Sequence, residues 1–151
     1  MASWSDVLAN APELATRVEQ VVRARKHHTL ATLRADGSPR VSGIEVDIAD
    51  GEVWLGSMAG ALKGRDLRRD PRGSLHALAD DPAPEDPVAW GGDVKVTFTA
   101  VLVEDANAGA EADRFRLDVH EVSHVRVKDD ASALLITMGS ESGGFRVVDR
   151  L

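Results

Sequence analysis

Residues 28–77 read HTLATLRADGSPRVSGIEVDIADGEVWLGSMAGALKGRDLRRDPRGSLHA, and the punctuation of this stretch decides the fold. Apolar and polar residues alternate on both sides of Asp36-Gly37 and Asp50-Gly51, pairs suited to tight turns between antiparallel strands. The spacing predicts strands near 29–34, 39–48 and 52–57. Residues 60–71 then switch to good helix formers closed by cations and by Pro71, which predicts one short helix before a strand near 73–79.

Downstream, the period of two returns. Val94, Val96, Phe98, Ala100 and Leu102 line one face of a strand near 94–104. Phe115, Leu117, Val119, Ser123, Val125 and Val127 line one face of another, placed at 116–128. Further strands are expected near 132–138, after a turn at Asp129-Asp130, and near 144–149. Residues 80–92 hold three prolines and four acids and read as a long loop. Residues 105–113 leave room for a turn or two of helix.

Upstream, Asn10 with Glu13 three residues later reads as a capping box, and Pro12 sits where a missing N–H is tolerated. Leu14, Val18, Val21 and Val22 form a helical apolar stripe that ends near Arg23 and Lys26. Residues 1–26 are expected to form an N-terminal helical lid on a barrel made by residues 28–151, all in one domain. The class is mainly β with a few helices: antiparallel hairpins around a small closed or partly closed barrel, with a sandwich as the competing architecture.

The 151 residues carry 18 Lys+Arg against 25 Asp+Glu, a formal charge of −7, and no cysteine. A disulfide scaffold or cysteine zinc site is excluded, and no broad basic face invites nucleic acid. No run approaches a membrane span, and residues 1–20 show no targeting pattern, so the expected location is the cytoplasm, away from membranes. His120 and His124 stand four apart on a strand, about 13 Å at about 3.3 Å per residue, too far to share a metal ion. Solvated or cross-strand roles are expected for both. His27 and His28 point to opposite faces, and His76 reads as a barrel-wall residue. No serine–histidine pair is placed as a nucleophile requires, and Gly139 to Gly144 reads as a hairpin loop. No catalytic side chain is assigned.

The segment after the third strand carries more chemistry. Ser57 supplies a hydroxyl, residues 58–61 are small or flexible, and Lys63 falls in the first turn of the next helix. Backbone N–H groups, a hydroxyl and an ammonium together suit a phosphate. Lys63 is one of four lysines beside fourteen arginines, and it stands at the end of the helix where a cation does not complement the dipole.

In this order, the strand–Asp-Gly–strand–Asp-Gly–strand run, the hydroxyl at Ser57, Lys63 on the following helix and Asp70-Pro71 beyond it resemble the first half of the pyridoxamine 5'-phosphate oxidase-like family. The resemblance extends loosely over 93–104 and 115–122. It implies an antiparallel split β-barrel of the FMN-binding type, assembled as a homodimer, that binds FMN or a 5-deazaflavin coenzyme and acts on a small-molecule substrate. By the same resemblance the cofactor-binding positions are Ser57 and Lys63 at the phosphate and the Ser42, Gly43 and Ile44 backbone along the ring. Trp90 of the partner's loop is the implied cover. Leu62 stands where many members carry a second basic residue, and strand two lacks the oxidase's basic residues at Ser42 and Asp47, which argues against pyridoxamine phosphate as substrate. Arg65, Arg68 and Arg69 would suit the acidic tail of a deazaflavin. The function implied is a flavin- or deazaflavin-dependent oxidoreductase. The rival is a non-enzymatic split barrel that binds, stores or senses flavin or haem.

Overall fold

The computed structural model describes residues 2–104, 112–143 and 148–150. The Asp-Gly turns form hairpins as expected. Asp50 and Gly51 both take positive φ, 54° and 74°, the pairing of a two-residue turn that matches strand twist. The strands are β1 (His27–Leu33), β2 (Pro39–Ala49), β3 (Glu52–Met58), β4 (Arg72–Leu78), β5 (Asp93–Val103), β6 (Ala112–Val127), β7 (Leu134–Ser140) and β8 (Val148–Arg150). All pair antiparallel in the order β3-β2-β1-β4-β5-β6-β7-β8, and β3 also pairs with β6. Six strands therefore close on themselves, with β7 and β8 as an extension. The sandwich alternative is excluded by the β3–β6 closure.

β6 is where the barrel splits. Residues 112–116 pair with β3, while residues 121–127 pair with β7. Between the two sets, Thr97 of β5 faces Glu121 and Phe98 faces Val119, which leaves His120 as an inserted residue in a bulge. The insertion changes the phase of the strand. Phe115, Leu117 and Val119 point into the core as expected, but beyond the bulge Val122 and His124 take the core face. The expectation that Val125 and Val127 continue it is corrected: both are only half-buried. Strand β6 also begins four residues earlier than the sequence pattern suggested. Residues 105–111 and 144–147 lie outside the described residues, so the short helix considered for the first segment does too.

The helices are α1 (Trp4–Asn10), α2 (Pro12–Ala24) and α3 (Leu62–Arg69). The capping box expected at Asn10 and Glu13 is not formed. Asn10 closes α1 and gives its Nδ2 to the Asp6 carbonyl, and Ala11 precedes α2 with no side-chain cap. A capping box does exist one helix earlier, where Ser3 and Asp6 exchange hydrogen bonds at the start of α1. The apolar stripe of α2 is buried as read, with Leu14, Val18, Val21 and Val22 each at most 3% exposed, and Trp4 and Val7 of α1 join it. No helix among the described residues is long and apolar enough to cross a membrane.

These helices occupy opposite ends of the barrel. Ser5 of α1 bonds the Gly51 carbonyl, Arg23 of α2 the Ile48 carbonyl, and His28 at the start of β1 the Val22 carbonyl. Helix α3 instead meets the end of β1 and the start of β2, through Thr32, Leu33 and Arg40. Between the two ends, Leu30, Leu55, Leu75, Val96, Phe98 and Phe115 fill the interior. Gly73 is required there, because a Cβ on it would lie 2.6 Å from the Phe98 ring.

Candidate functional site

Helix α3 is held to the barrel by a carboxylate. Asp66 is 2% exposed and accepts hydrogen bonds from Thr32 Oγ1 (2.8 Å), Arg40 Nε (2.6 Å) and Arg69 Nη2 (2.9 Å). Burial alone would push this carboxyl up; the Arg40, Thr32 and Arg69 bonds outweigh it and hold the group at about 2. Arg69 also donates to the Leu33 carbonyl. Arg68 grips Asp113 of β6 with two bonds, which lower the Asp113 carboxyl. Arg68 and Arg69, read from sequence as cations for an acidic tail, are thus committed to the fold. Arg65 is exposed and has no side-chain partner among the described residues.

The fixed helix aims its first turn at β2. Lys63 Nζ donates to the Gly43 carbonyl at 2.7 Å, which joins two candidate residues twenty positions apart in sequence. Ser57 lies beneath the same turn, 5% exposed; among the described residues its hydroxyl makes only a long 3.4 Å contact, to the Met58 carbonyl, and it faces Gly64. Among the described residues no side chain caps α3, so its leading N–H groups keep their donor capacity for something else. Leu62, beside Lys63, is 55% exposed.

On the outer face of β2 and β3 next to this turn, two glycines leave open positions on either side of the exposed Glu45. A Cβ on Gly43 or Gly56 would meet no atom within 4 Å. Val41 and Met58 flank this strip as exposed apolar side chains. Ser42 and Ile44 point the other way, Ile44 into the core, so only their backbone reaches the outer face. Gly43, Ser57, Leu62 and Lys63 therefore come together, with the backbone of Ser42 and Ile44 alongside. A planar ring against the strip with a phosphate at the α3 turn fits this arrangement.

Trp90 does not join them. The loop at 80–92 runs at the α2 end, where Asp80 pairs with Arg25 and the Gly91 carbonyl binds His124 Nε2. Trp90 is half-buried there, and its enclosed Nε1 has no partner among the described residues.

The sequence reading also missed a polar chain across the bulge. Thr99 Oγ1 lies 2.6 Å from His120 Nε2, and His120 Nδ1 lies 2.8 Å from Glu141 Oε2. A hydroxyl, an imidazole and a carboxylate thus follow in series, the hydroxyl supplied by a threonine and not by a serine. His120 is a cross-strand residue, as expected. The bulge that sets its angle carries no distinctive sequence signal. His76, on the barrel wall, meets Asp93 at 2.7 Å.

Among solved structures, the fold is similar to PhzG from Burkholderia lata 383 in complex with tetrahydrophenazine-1-carboxylic acid (TM-score 0.68, 16% identity, 95% of this chain and 91% of that one). It is similar to an F420 reductase (TM-score 0.52, 15% identity, 70% and 94%). It is also similar to a heme-binding protein from Mycobacterium smegmatis (TM-score 0.56, 21% identity, 91% of this chain but 57% of that one). At these identities the likeness concerns fold alone. No curated protein matches the sequence. The sequence profile of the pyridoxamine 5'-phosphate oxidase family, however, matches residues 14–138, from the stripe of α2 to β7. The chain belongs to the pyridoxamine 5'-phosphate oxidase family.

Proposed function

We propose that this chain is a cytoplasmic, homodimeric oxidoreductase, one split-barrel domain per copy, that binds FMN or a 5-deazaflavin against the outer face of β2 and β3 and acts on a small organic substrate. The observation that carries this reading is the Lys63 ammonium seated on the Gly43 carbonyl. It brings a phosphate-type cation and an open strand face into one place. When bound, the cofactor supplies hydride exchange. Lys63 and the uncapped α3 turn hold the phosphate, with the Ser57 hydroxyl turning outward to join them. The Ser42, Gly43 and Ile44 backbone orients the ring, and Gly43 and Gly56 leave room for it on either side of the exposed Glu45. Leu62 and Met58 exclude water from the rim. Trp90 lies at the other end of its own barrel, so the cover over the ring is the partner's Trp90.

Arg68 and Arg69 are occupied by Asp113, Asp66 and the Leu33 carbonyl, which favours FMN over a cofactor with a long acidic tail. The test is titration of the purified protein with FMN and with the deazaflavin, followed by visible absorption. Saturable binding is expected, weakened by roughly ten- to a hundredfold in Lys63→Ala, the loss of one charge-assisted bond. Equal binding by Lys63→Ala would remove the phosphate assignment. Binding of haem with neither cofactor bound would support the rival reading of a non-enzymatic split barrel.

A further inference from the structure

At the other end of the molecule, a cavity of about 350 Å³ opens between the start of α2 and the β6–β7 pair. Its apolar wall includes Leu14 and Leu135, and its polar wall includes Arg17, Arg126 and Thr137. The volume is that of a small-ligand pocket.

The two guanidinium groups set its chemistry. Arg126 spends Nη1 on Asp129 (3.0 Å) and on a long contact to the Val127 carbonyl, while its Nε is enclosed and without a hydrogen bond among the described residues. A buried donor of a charged group left in that condition is costly unless an acceptor reaches it. Arg17, half-buried on α2, makes no hydrogen bond or ion pair with any described residue. Both cations act on the same buried imidazole. Burial first, then Arg17 and Arg126, lower the affinity of His124 for a proton, against the opposing Gly91 carbonyl and Asp93. Glu13 is the acidic side chain in the lining, and it is exposed at the rim. In a chain of net charge −7, two arginines facing one half-apolar cavity make a local site of opposite sign.

We propose that this cavity is a second ligand site, separate from the β2–β3 strip, and that it takes a small organic carboxylate whose apolar body rests on Pro12 and Leu135. Arg126 Nη2, which bonds no described residue, is the donor that a carboxylate accepts, with Arg17 as the second cation. The inference stands independently of the flavin reading.

Benzoate is a suitable probe, titrated into the whole protein by calorimetry and by NMR of the His124 ring. Saturable one-to-one binding is expected, with the His124 resonances moving along the same curve. Arg17→Gln, at a half-exposed position that the fold does not use, should weaken binding by about tenfold or more, the scale of one lost charged hydrogen bond. Arg126→Leu should abolish it and Arg126→Lys restore it in part. Three results would overturn the proposal: no saturable binding, the same affinity in Arg17→Gln, or displacement of benzoate by FMN. Inorganic phosphate binding more tightly than benzoate would overturn the carboxylate assignment.

Discussion

The two ends of this barrel are closed by opposite chemistry. At one end, α1 and α2 lay Trp4, Val7, Leu14, Val18, Val21 and Val22 over the opening, all at most 3% exposed. At the other, α3 contributes Leu67 and little else that is apolar, and it is fastened by Asp66 to Thr32, Arg40 and Arg69. An apolar lid gains free energy from area and tolerates small shifts, because the hydrophobic effect has no direction. A buried carboxylate with three donors tolerates none. It fixes the angle of α3, and with it the reach of Lys63 to Gly43. The end that sets the reach of Lys63 is closed mainly by directional bonds, and the other mainly by apolar area.

The largest test of that contrast is Trp4→Ala. Trp4 is 1% exposed and its Nε1 donates to Glu19 Oε1 at 2.7 Å, so the substitution empties a core position and strands an acceptor. A loss of about 3–5 kcal/mol in chemical denaturation is expected. FMN affinity, measured well below the unfolding transition, should stay at the parent value because the α3 end is untouched. A loss under about 1 kcal/mol would show that the lid is draped over a self-sufficient barrel.

Next comes Asp66→Asn, expected to cost about 3 kcal/mol by leaving Arg40 and Arg69 without their carboxylate. It carries a pH signature that Trp4→Ala lacks. Because the Asp66 carboxyl is held at about 2, below its ordinary 3.8, its stabilisation is complete above about pH 4 and is lost as pH falls through about 2. The amount is about 2 kcal/mol. Denaturation curves at pH 6, 4 and 2.5 should therefore bring parent and Asp66→Asn closer together as acid is added. Parallel curves would mean that charge at Asp66 contributes nothing to holding α3.

The contrast also explains what the sequence disclosed. The lid is legible in the 3.6-residue stripe of α2, and the hairpins in Asp36-Gly37 and Asp50-Gly51, because period and turn chemistry are local properties. Asp66 is not legible: it stands within GRDLRRD, a run that reads as a solvated basic helix. Only the packing of α3 on β1 and β2 turns that aspartate inward and makes its arginine neighbours structural. The same holds at His120, where one inserted residue moves the core face of β6 from the expected 125 and 127 to 122 and 124. Alternation fits either phase until the register with β5 is known. Capping misled the reading at Asn10 because an Asn followed three residues later by Glu fits the start of a helix as well as the end of the one before. Gly43, Ser57 and Lys63 were legible as a group only through the family pattern, since their twenty-residue separation closes only in three dimensions.

The smallest expected change in stability is the most informative about the α3 end. Gly43 lies on the open face of β2, where an added Cβ meets nothing within 4 Å and its φ is not among the positive ones. Valine at that position loses less backbone freedom on folding and favours the strand, so Gly43→Val should be neutral or stabilise by about 0.5–1 kcal/mol. Its backbone carbonyl remains, so the Lys63 bond is kept. What changes is the strip itself, which gains an isopropyl group where the ring is proposed to lie. The expected outcome is an unfolding midpoint at or above the parent's together with FMN binding weakened by at least about tenfold, which is about 1.4 kcal/mol. A strand that carries glycine where valine would be more stable has given up stability for access, a common trade at functional sites. If Gly43→Val binds FMN as the parent does, the outer face of β2 is not where the ring rests. The polar end of the barrel would then hold α3 for some other purpose.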